Sequence, residues 1–310
     1  MKALVAREYG PLDQLELTEV PRPVPGQGQV LVRTEAAAVN PVDLVLVTGG
    51  MRDALPVSHP FVPGVDVSGV VEAVGSGVDR FAVGDPVIAW TGVPSGAFAE
   101  YALVRADDSA VVRPAALDAR RAAALPTGAL TASALLDEAK PRAGSTLLVV
   151  GAAGGLGSYA VQLAKRAGAT VFATGREDDL DYLTRLGADG VLDYRGENVA
   201  ERVREWVPGG VDAVIDVALA GPDLATSAAA ARPGGVLVSP RGGPAEFDCG
   251  VTAVYTGTTT PSGRLAELAR AAAAHELHIE ISAQYPFAEA RQALLDFAGQ
   301  HVRGKVVITF

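Results

Sequence analysis

The sequence predicts an α/β fold built on a doubly wound parallel sheet and preceded by a β-rich region. From residue 144 to about 255, short apolar segments typical of buried strands alternate with helical segments. At the start of this alternation, an apolar strand at 146–150 runs directly into a glycine-rich turn at 151–157, and a helix follows over 158–166. A strand at 170–174 completes a βαβ unit, which is the context that a dinucleotide-binding turn requires.

The glycine-rich turn is expected to hold the phosphates of a dinucleotide. Glycine lets the backbone approach an anion, and the helix N-terminus offers free N–H groups and the positive end of the helix dipole. The residues of the turn that we expect to contact the cofactor are Ala152, Gly154, Gly155, Leu156 and Gly157.

The other elements follow from apolar periodicity and turn residues. Residues 1–115 are predicted to be all-β, with short strands at barrel-like spacing: these are 1–7, 29–37, 69–74, 84–89 and 97–104. A helical pattern covers 119–139. Beyond the βαβ unit we expect helices at 178–186, 198–206, 223–231, 263–276 and 288–298, and strands at 190–194, 212–218, 235–239, 279–284 and 305–310.

Composition limits the classes of protein to which the chain can belong. Of its 310 residues, 49% are hydrophobic and 20% charged, which allows a large core and argues against disorder. The net charge of −10 argues against a nucleic-acid-binding surface. Its single cysteine, Cys249, excludes an internal disulfide and a cysteine-rich zinc site. There is no apolar signal core and no uninterrupted apolar span of membrane length, so we expect a soluble cytoplasmic protein with no membrane partner.

Nine ordered segments carry a resemblance to a known family: 36–43, 63–75, 81–87, 96–101, 124–135, 151–165, 186–194, 233–239 and 303–308. Over essentially its whole length the chain resembles the medium-chain dehydrogenase/reductase superfamily, and within it the zinc-free quinone oxidoreductase (zeta-crystallin-like) branch. The resemblance implies a GroES-like β-barrel catalytic domain at 1–120 and 257–310. A Rossmann NADP-binding domain at 121–256 is expected to be inserted in it.

Zinc enzymes of this superfamily use a cysteine, a histidine in a Gly-His-Glu segment and a four-cysteine loop. Here the first position falls in Val-Asn-Pro-Val-Asp at 39–43, and Val65 stands where the histidine would be. The spacing of His275 and His278 would allow a shared metal, but they have no further ligands in the sequence and are more simply polar residues at a helix end. We predict no metal.

The choice between the two nicotinamide cofactors depends on the residues after the second strand of the βαβ unit. An NAD-selective fold places an acid there, whereas this chain has Gly175 and Arg176. Arginine can pair with a 2′-phosphate, Gly175 leaves room for it, and Tyr194 matches a family position in the adenosine phosphate pocket. NADPH is therefore predicted. The acids at 177–179 would oppose it unless they point into solvent, and Arg176 could instead be a solvated charge paired with them.

The resemblance also implies residues beside the nicotinamide. Asn40 matches the family asparagine there and is predicted to orient or polarise the substrate, although it could simply bond its own turn. Asp43 is a candidate proton donor or a helix-cap aspartate. Thr127 is predicted to be catalytic and Thr131 to bind cofactor, with a core hydroxyl as the alternative for each. Further cofactor positions at the ends of later strands are Val217, Ala218, Ser239, Pro240, Arg241, Tyr255 and Thr256.

The predicted reaction is hydride transfer from NADPH to a quinone or an α,β-unsaturated carbonyl. An alcohol dehydrogenase lacking zinc is less favoured, because no metal or clear base would take the hydroxyl proton. A nucleotide-binding regulator with little turnover is the alternative from another class of protein, since fold does not dictate function. The resemblance further implies a homodimer joined through sheet edges, with the matching edge within 228–240.

Overall fold

The computed structural model describes residues 1–93, 96–196 and 198–310, and divides the chain into two compact units. The first unit comprises Met1–Thr127 and Thr260–Phe310, and the second comprises Gly128–Thr259.

The first unit is built mainly from β-strands. In chain order, its elements before the second unit are β1 (Lys2–Val5), β2 (Glu16–Glu19), β3 (Gln29–Val39), α1 (Pro41–Thr48), β4 (Asp66–Val74), β5 (Pro86–Trp90), β6 (Tyr101–Arg105), β7 (Ala110–Val112) and α2 (Ala119–Ala123). Helix α3 (Pro126–Ala139) begins in the first unit and continues into the second from Gly128 on. The predicted helix over 119–139 is thus two helices. Pro126 explains the break, because proline disfavours helical backbone in the residue before it and fits the first position of a new helix.

The second unit alternates strands and helices. Its elements are β8 (Thr146–Val150), α4 (Gly157–Arg166), β9 (Thr170–Gly175), α5 (Leu180–Arg185), β10 (Gly190–Asp193), α6 (Val199–Trp206), β11 (Val211–Asp216), α7 (Leu224–Ala228), β12 (Ala231–Ser239), β13 (Glu246–Phe247) and β14 (Val251–Tyr255). The chain then returns to the first unit with α8 (Arg264–Ala273), β15 (Ile281–Pro286), α9 (Ala290–Gly299) and β16 (Lys305–Thr309). Short 3₁₀ turns lie at Leu12–Gln14, Glu177–Asp179, Gly221–Asp223 and Phe287–Glu289.

The sheet of the first unit has the order β15-β16-β3-β4-β5-β7, with β6 also paired to β3. β3 is its central strand. It pairs antiparallel with β4, β6 and β16, so the C-terminal strand lies directly beside an N-terminal one. Alternate apolar side chains of these strands, such as Val30, Val32 and Val67, are fully buried in the core of this unit.

The sheet of the second unit has the order β10-β9-β8-β11-β12-β14-β13. Every neighbouring pair from β10 to β14 is parallel, and only the two-residue β13 is antiparallel. This is the doubly wound arrangement that the sequence predicts, with the direction of winding reversed between β8 and β11.

The sheet order corrects the expected dimer edge. The segment at 228–240 contains β12, which pairs with β11 on one side and with β14 on the other. At 236–238 both of its backbone edges are therefore occupied, and this part of β12 offers no free edge for a second copy. On this side the sheet ends at β13.

Candidate active site

The predicted cofactor residues of the second unit gather at one edge of its sheet. Because the strands from β10 to β14 are parallel, their carboxyl ends all lie at the same edge. The residues that end these strands or follow them directly are Gly151, Gly175, Arg176, Tyr194, Val217, Ala218, Ser239, Pro240, Arg241, Tyr255 and Thr256. In a doubly wound sheet this edge, at the point where the winding reverses, is where ligands bind.

Two glycines of the loop after β8 are constrained in different ways. A Cβ on Gly157 would lie 2.2 Å from the Gly151 carbonyl oxygen and 2.7 Å from Ala152 Cα, so only glycine lets α4 begin so close to the turn. A Cβ on Gly154 would meet nothing nearer than the Gly151 oxygen at 3.6 Å, which is an ordinary contact. Packing therefore accounts for Gly157 but not for Gly154, whose missing side chain leaves the loop open to a close ligand.

Thr174, at the end of β9, holds the glycine loop in place. Its Oγ1 accepts the Gly151 N–H at 3.0 Å, and its carbonyl accepts the Ala152 N–H at 3.2 Å. Thr174 is not among the predicted site residues. The feature that could have pointed to it is a hydroxyl at the end of an otherwise apolar strand.

Arg176 and Tyr194 meet at the ends of β9 and β10, where Arg176 Nε donates to the Tyr194 hydroxyl at 3.2 Å. The neighbouring acids differ in placement. Glu177 and Asp178 are exposed, whereas Asp179 is buried and accepts the Arg176 backbone N–H at 3.0 Å.

The structure adds a packing reason for glycine at 175. A Cβ there would lie 2.8 Å from Leu183 Cδ1 and 2.9 Å from Asp179 Cβ, both of which follow in the chain. Gly175 is thus required for the packing of the following turn and α5 against β9, which is a reason for glycine that the sequence did not indicate.

Three of the other predicted cofactor residues form hydrogen bonds inside the second unit. Thr131 shares a hydrogen bond with Thr258 at 2.8 Å between their hydroxyls. Ser239 Oγ accepts the Arg241 N–H at 3.0 Å, which fixes the turn after β12. The Tyr255 hydroxyl donates to the Pro244 carbonyl at 2.6 Å, so this group is committed to the loop at 244.

The predicted catalytic residues of the first unit belong to a buried polar cluster of Asn40, Asp43, Asp66, Thr127 and Lys305. Both aspartates are fully buried, and Lys305 is 4% exposed. The cluster joins the β3–α1 junction, the first residue of β4, the first turn of α3 and the first residue of β16. It is therefore well placed to hold these elements together.

Asp66 is the central acceptor of the cluster. Its Oδ1 accepts the Thr127 hydroxyl at 2.6 Å and the Thr127 backbone N–H at 3.0 Å. Its Oδ2 accepts Asn40 Nδ2 at 2.9 Å and lies 3.7 Å from Lys305 Nζ. Burial raises the pKa of Asp66, and the nearby ammonium and these hydrogen bonds oppose that rise. Burial also lowers the pKa of Lys305.

Asn40 has a different role from the expected one. Its Oδ1 accepts Lys305 Nζ at 2.5 Å, and its Nδ2 donates both to Asp66 and to the Ala38 carbonyl at 3.2 Å. Because both amide hydrogens are used within the protein, Asn40 cannot also polarise a substrate carbonyl in this conformation. The same holds for Thr127, whose hydroxyl hydrogen is given to Asp66. Both are positioning residues here.

Asp43 matches its helix-cap alternative. Its Oδ2 accepts the Asn40 backbone N–H at 2.8 Å, which caps the first turn of α1, while Oδ1 has no partner among the described residues. Burial raises the pKa of Asp43 to about 8, and the charge of Asp66 adds to this rise. Asp43 is therefore mainly protonated at neutral pH.

The raised pKa of Asp43 predicts a pH dependence of stability. An unfolded aspartate titrates near 4, so between about pH 4 and pH 8 the folded state holds one more proton than the unfolded state, and stability falls as pH rises. Asn cannot ionise and keeps the capping oxygen. We expect the free energy of unfolding of Asp43→Asn, relative to wild type, to rise steadily from pH 5 to pH 8 in urea titrations. A constant difference over this range would contradict the assignment.

Asp66 and Lys305 are not among the predicted site residues, although both lie in segments that resemble the family, 63–75 and 303–308. A second signal is a charged residue at the start of an apolar strand: Asp66 opens β4, and Lys305, one of four lysines in the chain, opens β16.

The positions that bind zinc in the zinc enzymes fall in the first unit. By the family resemblance, the cysteine position of the zinc enzymes falls within 39–43, which has no thiol, and Val65 stands at the histidine position. Within the ranges that the structure describes, no three His, Cys, Asp or Glu side chains are grouped so that they could hold a metal ion.

Two family models match the chain. The alcohol dehydrogenase GroES-like domain matches residues 26–114, and the zinc-binding dehydrogenase model matches residues 155–296. Among curated relatives, quinone oxidoreductase of Lama guanicoe is 34% identical, and the match covers 99% of this chain and 97% of that protein. The chloroplastic quinone-oxidoreductase homolog of Spinacia oleracea is 41% identical over 60% of this chain, and the chain spans 58% of that relative's length.

Solved structures match over the whole chain. A quinone oxidoreductase from Coxiella burnetii has a TM-score of 0.88 at 29% identity, covering 100% of this chain and 99% of that one. A mycobacterial protein complexed with NADPH has a TM-score of 0.89 at 30% identity, and an NAD-dependent alcohol dehydrogenase has 0.89 at 28%, with 100% of both chains covered in each case. By sequence and by fold, a GroES-like unit with a Rossmann unit inserted, the chain belongs to the quinone oxidoreductase family of the medium-chain dehydrogenases/reductases.

Proposed function

We propose that this protein is an NADPH-dependent reductase that transfers hydride to a quinone or an α,β-unsaturated carbonyl without a metal. The observation that carries the proposal is the glycine loop at the carboxyl edge of the second unit's sheet. Gly154, which packing does not require, leaves the loop open, and α4 begins immediately after it. A pyrophosphate suits this place, since the start of a helix offers unpaired N–H groups to an anion.

The residues at the ends of β9 and β10 support NADPH over NADH. Arg176 is a guanidinium beside the Tyr194 hydroxyl, and Glu177 and Asp178, which follow it, are exposed to solvent. Asp179 accepts the Arg176 N–H and is fully buried, so it is not exposed at the end of β9 as the acid of an NAD-selective fold would be.

Replacing Arg176 with Gln tests this choice. A hydrogen bond to a charged group contributes about 1.5–3 kcal/mol, so we expect the Kd for NADPH to rise roughly tenfold or more. The Kd for NADH, which has no 2′-phosphate, should change less than about threefold by the same reasoning. Both are measured by cofactor fluorescence. Arg185→Gln, at the exposed end of α5, is the matched control and should bind both cofactors as wild type does. An equal loss for both cofactors would contradict the role of Arg176.

The protein's own part in the reaction is to bind, orient and exclude water. When bound, the reduced nicotinamide supplies the hydride. The Asn40 amide and Thr127 hydroxyl hydrogens are committed to acceptors in the buried cluster, so the proton that follows hydride is proposed to come from solvent.

The direct test is oxidation of NADPH, followed by absorbance, with 1,4-benzoquinone and a simple enone as acceptors and an alcohol with NADP⁺ as the comparison. We expect oxidation only when a quinone or enone is present, and unchanged rates after dialysis against a chelator. Alcohol oxidation would favour a dehydrogenase, and cofactor binding without turnover on any acceptor would favour a regulator.

We also propose a homodimer, joined at a different edge of the second unit's sheet from the one expected. On the side where the sheet ends at β13, that strand is only two residues long, so a second copy would join there or through side chains rather than through β12. Light scattering on the eluted protein measures the mass directly.

No helix in the described part of the chain is long and apolar enough to span a membrane.

A further inference from the structure

Asp216 is a buried acid that has no part in the reaction proposed above. It is the last residue of β11, at the carboxyl edge of the sheet and next to β8, and it is fully buried. Its Oδ2 has no hydrogen-bond partner among the described residues. A buried carboxylate oxygen without a partner is costly, so its retention at this place calls for a reason.

The other oxygen of Asp216 organises the turn that follows. Oδ1 accepts the Ala218 N–H at 2.9 Å and the Leu219 N–H at 2.8 Å. Two backbone donors on one oxygen close the turn over 217–219, as in other turns capped by aspartate.

This turn packs directly against the start of the glycine loop. The Val217 N–H donates to the Val150 carbonyl at 3.1 Å. A Cβ on Gly151 would lie 3.1 Å from both Val217 Cγ2 and Ala218 Cβ. The turn is thus hydrogen-bonded to the end of β8 and lies close enough to Gly151 to leave little room for a side chain there.

We propose that Asp216 is a positioning residue of the dinucleotide site. Its carboxylate fixes the turn over 217–219, and that turn holds the glycine loop in position. The inference rests on the proposed function, because it assumes that the glycine loop holds a nicotinamide dinucleotide. It assigns to Asp216 a role in cofactor affinity that is separate from its contribution to the stability of the sheet.

The test compares Asp216→Ala with Asp216→Asn, since Asn keeps an acceptor oxygen for the two N–H groups. The matched control is Asp212→Ala. Asp212 lies near the opposite end of the same strand, where it accepts the Thr146 N–H at 2.9 Å and the Arg232 Nε at 2.9 Å. Removing it damages the same pair of strands, β8 and β11, away from the carboxyl edge.

Two readouts are taken: the Kd for NADPH by fluorescence, and amide hydrogen exchange at 151–152 and 217–219 in the free protein. For Asp216→Ala we expect roughly a tenfold or greater rise in Kd and faster exchange at both segments, as expected when two backbone donors lose their acceptor. Asp216→Asn and Asp212→Ala should bind within about threefold of wild type, since each keeps the acceptor at the carboxyl edge. If Asp216→Ala does not fold, Asp216→Ser, which keeps one shorter acceptor, takes its place with the same expected direction.

The outcomes separate the two proposals. Wild-type affinity in Asp216→Ala, an equal loss in Asp212→Ala, or an Asn variant as weak as the Ala variant would each overturn the role of Asp216. If the wild-type protein binds no nicotinamide dinucleotide, the proposed function fails instead, and hydrogen exchange alone then shows whether Asp216 holds the loop.

Discussion

Replacing Lys305 with Met is expected to lower the free energy of unfolding by about 3–5 kcal/mol, the usual cost of removing one partner of a buried ion pair. Lys305 lies 3.7 Å from Asp66 and donates to Asn40, and all three side chains are almost wholly buried. Without the ammonium, the buried Asp66 carboxyl loses the opposite charge beside it, and Asn40 Oδ1 loses its donor.

Urea denaturation measures this effect in the unit where it arises. The chain has two tryptophans, Trp90 in β5 and Trp206 in α6. In a Trp206→Phe background, tryptophan fluorescence therefore reports on the first unit alone. Arg7→Met is the control in the same unit: Arg7 pairs with Glu16 at 2.8 Å, but both side chains are more than half exposed, and such a pair contributes under about 1 kcal/mol. If the free energy of unfolding falls no further in Lys305→Met than in this control, the pair of Asp66 and Lys305 does not hold the cluster together.

Alanine at Gly154 and at Gly157 should have different consequences. For Gly157→Ala, a Cβ at 2.2 Å from the Gly151 oxygen forces the backbone to move, so we expect a loss of about 1–3 kcal/mol in stability together with loss of NADPH binding. For Gly154→Ala, the nearest atom is 3.6 Å away, so the fold should be unaffected. The added methyl group would still keep a pyrophosphate from the backbone N–H groups, and losing one charge-assisted hydrogen bond costs roughly tenfold or more in Kd.

Thermal melting and NADPH titration on the same samples separate these two effects. Gly299→Ala, at the end of α9 with no atom within 4 Å of its added Cβ, should change neither quantity. If Gly154→Ala binds NADPH as tightly as wild type, the pyrophosphate does not lie against this loop.

Local patterns predicted most of the second unit, because apolar runs mark several of its strands and glycines or acids mark many of its turns. The parallel pairing of the strands from β8 to β12 follows from strands and helices alternating in sequence. Helix α1 was harder to foresee. Its residues at 44–47 are apolar with no periodicity, and only the capping hydrogen bond between Asp43 and Asn40 marks where it begins.

The buried cluster could not be assembled from the sequence. Asp66 and Lys305 are far apart in the chain, and what brings them together is the pairing of β16 with β3 and of β3 with β4. The same pairing commits the Asn40 amide, which the family resemblance alone suggested was free for a substrate. The dimer edge was misplaced for a similar reason, since the sequence cannot show that β14 follows β12 in the sheet.

The most direct test of the account is a titration of the purified protein with NADPH and with NADH, followed by cofactor fluorescence under identical conditions. The account predicts saturable binding of both, with NADPH tighter by roughly tenfold or more because of the charge-assisted hydrogen bonds that Arg176 can give a 2′-phosphate. Equal affinities, or tighter binding of NADH, would contradict the assignment of Arg176, and no binding of either cofactor would contradict the assignment of the glycine loop itself.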